Sequence, residues 1–320
     1  MSDLAGRHVW IDGAIEPADG RHLSAFDRGF QLGDGVFETL RARAGNPTEL
    51  EEHLARLQRS ATGLDIALPP SVGADLTRGV AELLAADGLD GPDGDASVRI
   101  TVSRGVVTAR GLLPVGASEA TIVIQAWPVA PAPAGHLEQG LHLVSSSIRR
   151  DPASPLASLK TTSRADYVYA RLEARRASAD DALFLTIDGR ISEGTSANIF
   201  LVRRTGSATG STTGPATAHA PASATELATP SLDSAILPGT TRSWILSWGR
   251  AAGLTPVEAS LQPSDLAGAD EAFLCSSVAG ILPVTRFDGA PIGSGLPGPW
   301  TGRARAAREA FINRPGGTPK

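Results

Sequence analysis

Ser158-Leu159-Lys160-Thr161-Thr162-Ser163 contains the only lysine inside the chain, because the other of its two lysines, Lys320, is the last residue. Uncharged residues from Ala153 to Leu159 precede Lys160, and three hydroxyl residues follow it. In a chain this rich in arginine, a lone lysine is either a leftover or a place where arginine cannot substitute. Guanidinium keeps its proton, whereas an ammonium in a poorly solvated pocket loses pKa and becomes a nucleophile or base. Imine chemistry with a carbonyl group is the main use of such a lysine.

Working outward, the 320 residues and 42% hydrophobic content allow one large domain or two medium ones. A formal net charge of -5 offers no basic footprint for nucleic acid and no polybasic segment for lipid. No run of about 18 apolar residues and no charged start with an apolar signal region is present, so neither membrane insertion nor secretion is expected. One cysteine, Cys275, rules out an internal disulfide framework and reads as a small buried hydrophobe in Ala272-Phe273-Leu274-Cys275. A reducing cytoplasm, small-molecule partners and no metal are expected.

Before the lysine, Phe26 to Leu40 carries Gly29, Gly33 and Gly35 in a shaped loop that enters a strand, although an ordinary hairpin would have the same pattern. Leu50, Leu54, Leu57 and Ala61 repeat at helical spacing over Glu49 to Ala61, where Arg56 is either a rim cation or an anion ligand. A second helix is expected over Ala74 to Ala86, and strands over Ser97 to Val102 and Ala120 to Trp127. Between those strands, a loop with Arg104 and Arg110 beside glycines could grip a carboxylate. The Pro- and Ala-rich stretch that starts at Pro128 reads as a linker.

After the linker, Leu141 to Ser146 is predicted as a strand, Arg149-Arg150-Asp151-Pro152 as a turn and Ala165 to Ala177 as an amphipathic helix. In Ile191 to Val202, Glu193 sits among small residues that would admit a planar ligand, or it is a surface glutamate in a turn. Arg204 to Pro230 is low-complexity Ser, Thr, Ala and Gly, expected to be a disordered excursion. Leu237-Pro238-Gly239-Thr240-Thr241-Arg242 opens a helix whose free N–H groups suit a phosphate, though ordinary capping predicts the same residues. Ser276-Ser277-Val278-Ala279-Gly280 is another small-residue loop, between two strands.

Together these segments match what a pyridoxal 5'-phosphate site requires: a lysine, a carboxylate for the pyridine nitrogen, and an arginine with hydroxyl and amide donors for the phosphate. The chain resembles the class IV aminotransferases, the fold type IV pyridoxal-phosphate enzymes. The resemblance rests on Asp27-Arg28-Gly29 with Gly33-Asp34-Gly35-Val36-Phe37-Glu38, His53-Leu54-Ala55-Arg56-Leu57, Leu159-Lys160, Ser192-Glu193-Gly194 with Asn198, Leu237 to Arg242, and Ser276-Ser277 before Pro283-Val284. It implies an α/β (α+β) fold: a small N-terminal α/β domain (1–127), a linker (128–138) and a large domain (139–320) interrupted at about 204–230, with the cofactor between the domains. It also implies a homodimer. Carried over by position, Lys160 is the Schiff-base lysine and proton shuttle, and Glu193 is the partner of the pyridine nitrogen. Arg56, Thr240, Thr241 and Ser277 bind the phosphate, and Leu237 packs on the ring.

The family includes D-amino acid transaminases, aminodeoxychorismate lyases, and branched-chain and (R)-amine transaminases. The loop from Asp27 to Glu38 looks most like the D-amino acid version and lacks the tyrosine that branched-chain enzymes carry at the position of Leu32. Phe37-Glu38-Thr39 and Ser103-Arg104-Gly105 look like the lyase. Five residues after the lysine stands Ala165, where branched-chain enzymes have a tyrosine. The expected reaction is ping-pong transamination between a D-type amino acid and a 2-oxo acid, with the lyase as alternative. Arg28, Phe37, Arg104 and Arg110 are the candidate substrate residues.

Overall fold

The computed structural model describes residues 4–115, 119–204 and 225–314. The chain divides into two units, one comprising Met1–Ala130, Leu159–Arg164 and Phe311–Lys320, the other Pro131–Ser158 and Ala165–Ala310. Although Lys160 lies beyond the expected linker in sequence, its segment belongs with the N-terminal unit.

The first unit contains β1 (His8–Ile11), β2 (Ala14–Pro17), α1 (Arg28–Leu32), β3 (Gly35–Arg43), β4 (Asn46–Pro47), α2 (Leu50–Gly63), α3 (Val72–Ala86), β5 (Asp95–Ser103) and β6 (Thr121–Pro128). Its sheet runs in the order β2-β1-β6-β5-β3-β4. β5 alternates buried and partly exposed residues, as a strand with one face on a core should. Leu57 and Ala61 of α2 and Leu76, Val80, Leu83 and Leu84 of α3 meet Leu40, Val98, Ile100 and Ile124 of the sheet in one core. The glycine-punctuated loop contains a helix: Asp27 caps α1 by accepting from the Gly29 and Phe30 amides, and Gly33 ends it in the left-handed region.

Residues 159–164 join this unit through backbone hydrogen bonds. Phe37 N donates to Lys160 O (3.0 Å), and Thr162 N donates to Gly35 O (2.9 Å). The contact requires glycine. A Cβ on Gly35 would lie 2.7 Å from Val102 O, and one on Gly33, whose φ is +65°, would lie 2.6 Å from Ser163 Oγ.

The second unit contains α4 (Ala134–Glu138), β7 (Leu141–Arg150), α5 (Ala165–Arg176), β8 (Asp181–Thr186), β9 (Ile191–Gly194), β10 (Asn198–Arg204), β11 (Thr225–Pro230), α6 (Thr240–Ala251), β12 (Thr255–Ala259), α7 (Pro263–Ala267), β13 (Glu271–Ser276), β14 (Gly280–Phe287) and β15 (Ala290–Pro291), with α8 (Pro299–Ile312) beginning in it. The sheet order is β12-β11-β10-β13-β14-β7-β8-β9, and β15 pairs with β14. Every residue of β8 is buried, and Phe200 of β10 stacks on Phe273 of β13 at 5.3 Å. Such strands read as continuous apolar runs rather than alternating ones.

Three expectations differ here. α4 falls within the stretch read as linker, at Ala134–Glu138. β7 does not stop at Ser146 but continues through Arg150, pairing Arg149 with Leu185 and Arg150 with Thr186 after a register shift. Thr225–Pro230, read as the end of the low-complexity excursion, is strand β11 between β10 and β12. Its single large apolar residue, Leu227, is too little for composition to register, and the ladder on both sides supplies what the composition lacks. Residues 205–224 of that excursion lie outside the described residues.

Leu40, fully buried on β3, should cost about 2–5 kcal/mol when truncated to alanine. Urea denaturation of the variant should show a lower midpoint with unchanged native secondary structure.

Candidate active site

In the first unit, backbone bonds place the Lys160 side chain. Its amide donates to Ser60 Oγ (3.1 Å) on α2, and its carbonyl accepts from Phe37. Lys160 Nζ then lies 4.7 Å from the centroid of the Phe37 ring. The same ring has the Arg99 guanidinium at 3.8 Å and that of Arg164 at 5.6 Å. Burial, and then the neighbouring Arg164, lower the pKa of Arg99. Arg99 and Arg164 were not singled out from sequence, because an arginine in alternation on β5 looks like any solvated cation.

Arg56 is held from α2 onto β3. Its Nε and Nη2 each donate to the Glu38 carboxylate at 2.7 Å, and His53 Nδ1 lies 2.7 Å from the same group. Glu38 and His53 are fully buried and Arg56 nearly so, which orients the guanidinium rigidly.

Arg28 and Arg104, expected at a substrate carboxylate, grip an internal one. Arg28 Nε donates to Asp34 at 2.7 Å and its other nitrogens to the carbonyls of Gly111 and Leu112. Arg104 donates to Asp34 from Nε (2.8 Å) and Nη2 (3.0 Å), and to the carbonyls of Leu64 and Asp65. Burial raises the pKa of Asp34, but the hydrogen bonds from Arg104 and Arg28 outweigh it and hold the carboxyl below its ordinary range. The pair therefore staples α1 and the loop after β5. Arg110 stands exposed on that loop.

In the second unit, Glu193 is buried on β9. Its Oε2 accepts from Leu237 N (3.0 Å) and Asn198 Nδ2 (3.3 Å), and Asn198 also donates to Leu237 O (3.1 Å). Arg150 Nη2 lies 3.7 Å from Glu193 Oε1. A carboxylate so fixed beside a cation can accept a hydrogen bond from a ring N–H. At the start of α6, Thr240 Oγ1 lies 3.3 Å from Ser277 Oγ, so two hydroxyls sit at the positive end of a twelve-residue helix. Thr241 is buried, and its hydroxyl accepts from Arg308 (3.3 Å).

The family model for amino-transferase class IV matches residues 35–287. The chain belongs to the class IV aminotransferases. It is 32% identical to a putative branched-chain-amino-acid aminotransferase of Methanocaldococcus jannaschii over 88% of each chain. It is 29% identical to the D-alanine aminotransferase of Bacillus licheniformis, over 89% of this chain and 90% of that one. With the aminodeoxychorismate lyase of Bacillus subtilis it shares 29% identity, over 89% of this chain and 88% of that one. Among solved structures, the T.th. branched-chain amino acid aminotransferase with pyridoxamine 5'-phosphate superposes with a TM-score of 0.83 at 25% identity, covering 98% of this chain and 96% of that one.

The aminotransferase is a pyridoxal-phosphate enzyme of the mixed α and β architecture expected. Its residues fit the cofactor: the chain's one internal lysine, an oriented buried carboxylate and a hydroxyl-bearing helix N-terminus supply the three functions that an aldehyde, a pyridine nitrogen and a phosphate require. Among the described residues, no group of three or more His, Cys, Asp or Glu side chains could hold a metal ion.

Burial raises the pKa of Glu38, but hydrogen bonds from Arg56 and His53 reverse the effect and bring it from 4.5 to about 2. A carboxyl whose pKa is depressed by folding stabilises the native state above its unfolded value, and that contribution is lost as pH falls toward the folded one. The shift corresponds to roughly 3 kcal/mol. Glu38→Gln should therefore be destabilised by about that amount at neutral pH. In urea titrations, its deficit against the native chain should shrink as pH drops from about 5 toward 3.

Proposed function

We propose that this enzyme transfers an amino group between an amino acid of the D-alanine type and a 2-oxo acid, in two half-reactions. The observation that carries the reading is the Glu193 carboxylate, buried and fixed by Leu237 N and Asn198 beside Arg150. The bound cofactor supplies an aldehyde carbon that takes the amino group and a ring that accepts the electron pair released at the substrate α-carbon. Lys160 Nζ would hold the aldehyde carbon between turnovers and, once released as the amine, would take the proton from the substrate α-carbon and give it to the former aldehyde carbon. Glu193 keeps a proton on the pyridine nitrogen, and Leu237 covers the ring. Arg56, fixed by Glu38, binds the phosphate with Thr240, Thr241 and Ser277.

Phe37 forms the floor under Lys160, and the cations at its ring, Arg99 and Arg164, are suited to a substrate carboxylate. Arg110 on its exposed loop is a further carboxylate ligand, while Arg28 and Arg104 position that loop. The D-type reading draws support from the Bacillus licheniformis relative and from Leu32 and Ala165 standing where branched-chain enzymes have tyrosines. Aminodeoxychorismate lyase is the second reading. Two arginines at one ring suit a substrate with two carboxylates, and the Bacillus subtilis lyase matches as much of the chain as the Bacillus licheniformis relative does.

Homodimer formation is part of the proposal. Phe26, Phe30, Val106, Leu112, Leu113 and Val115 are exposed on α1 and the loops beside it, an apolar set that a second copy would cover. Among the described residues no helix is long and apolar enough to cross a membrane. The buried single cysteine, Cys275, fits a reducing cytoplasm.

Purified holoenzyme should change its visible absorption on addition of D-alanine and not of L-leucine. The opposite pattern would reassign it to branched-chain substrates, and a response to aminodeoxychorismate alone would favour the lyase. Lys160→Ala should lose turnover by at least about 10⁴-fold with an unchanged melting temperature, and substantial residual transamination would sink the mechanism.

A further inference from the structure

Arg150 lies beside Glu193 but has been given no role of its own. It ends β7, its side chain is about nine-tenths buried, and four groups meet it, two of them from α5. Glu193 Oε1 of β9 lies 3.7 Å from Nη2, Asp166 of α5 lies 3.8 Å from Nη1, and the Ala235 carbonyl accepts from Nη2 at 3.3 Å. Nη1 also donates to the Tyr167 hydroxyl. The guanidinium carbon lies 5.1 Å from the Tyr167 ring centroid and 5.7 Å from that of Phe184. Burying a cation this deeply is costly, so its position needs a reason. A stabilising partner for β7 could be apolar, whereas a fixed charge beside a second carboxylate acts on that carboxylate.

We propose that Arg150 is a positioning residue that holds Glu193 ionised and in place against the pyridine nitrogen, and so sets the electron demand of the cofactor ring. The proposal rests on the reading of Glu193 given above. The neighbours account for the charge balance. Burial works against the Arg150 cation, but Glu193, then Tyr167 and Asp166, more than compensate and raise its pKa. The guanidinium therefore stays charged throughout the working range. Leu237 N and Asn198 Nδ2 orient one oxygen of Glu193, and the Arg150 cation faces the other. Without that cation, Glu193 would bind a proton more readily and the ring nitrogen would keep its own less often. The ring would then withdraw fewer electrons, and the cofactor's lysine-linked nitrogen would hold its proton to higher pH.

The test is a pH titration of the visible band of the bound cofactor in purified holoenzyme, with Arg150→Met, Arg150→Lys, Glu193→Gln and the double variant Arg150→Met/Glu193→Gln. Arg150→Met should raise the midpoint by on the order of 0.5–1 pH unit, and Arg150→Lys should restore most of it. In the Glu193→Gln background the effect of Arg150→Met should fall below about 0.2 unit, because residues acting through one another are not additive. A midpoint unchanged in Arg150→Met, or equally shifted in both backgrounds, would overturn this proposal alone. A wild-type midpoint in Glu193→Gln would overturn the role of Glu193 and this proposal with it. If Arg150→Met fails to retain cofactor, Arg150→Gln and its double variant with Glu193→Gln are titrated instead: the upward shift is expected only where Glu193 is present, and no shift, or an equal shift in both backgrounds, overturns the proposal.

Discussion

The approach of the Lys160 backbone to the start of β3 governs the first unit. Two hydrogen bonds, from Phe37 N to Lys160 O and from Thr162 N to Gly35 O, fix the peptide on both sides of the lysine. The distance is possible only because Gly33 and Gly35 leave room for Ser163 and for the β5 backbone. Thr162 Oγ1 and Ser163 Oγ both donate to Gly33 O, so the hydroxyls after the lysine serve the same contact. A lysine whose main chain is held so tightly can present a long, flexible side chain at one place, over Phe37.

Buried and half-buried carboxylates perform a comparable task elsewhere. Asp34 gathers Arg28 and Arg104, Glu38 gathers Arg56 and His53, and Glu193 lies beside Arg150. Such pairs gain little over well-packed apolar residues of the same volume, since each charge loses its hydration, although removing one partner alone is costly; what they do is leave very few orientations open to a guanidinium. In the first two, the carboxylate is the tool and the arginine is what it sets. In the proposal for Glu193 the roles are exchanged, with the carboxylate turned to the ring nitrogen and the arginine its support. Two further cations, Arg99 and Arg164, lie at the Phe37 ring, an arrangement suited to an incoming anion.

Much of the site could be read from local chemistry. Lys160 stands out because nothing like it occurs elsewhere inside the chain, and the Glu193 and Thr240 segments stand out because small residues or a helix start surround them. The amphipathic spacing of α2 and α3 and the alternation of β5 gave those elements to within a few residues. Short elements were harder. α1 and α4 are five residues each, and neither leaves a periodicity to count. β11 looked like the tail of a low-complexity stretch because its hydrogen bonds come from strands distant in sequence.

By itself, then, the sequence determined the family, the one internal lysine and the residue types that a pyridoxal-phosphate site needs. Only the tertiary structure decided which cation meets which carboxylate. Asp34 and Arg104 are 70 residues apart and Glu193 is 43 beyond Arg150, so no local pattern links them. Arginine offers the same planar donors wherever it stands in the chain. Whether those donors hold a loop, a ring-nitrogen carboxylate or a substrate is fixed only when the strands and helices that carry them come together.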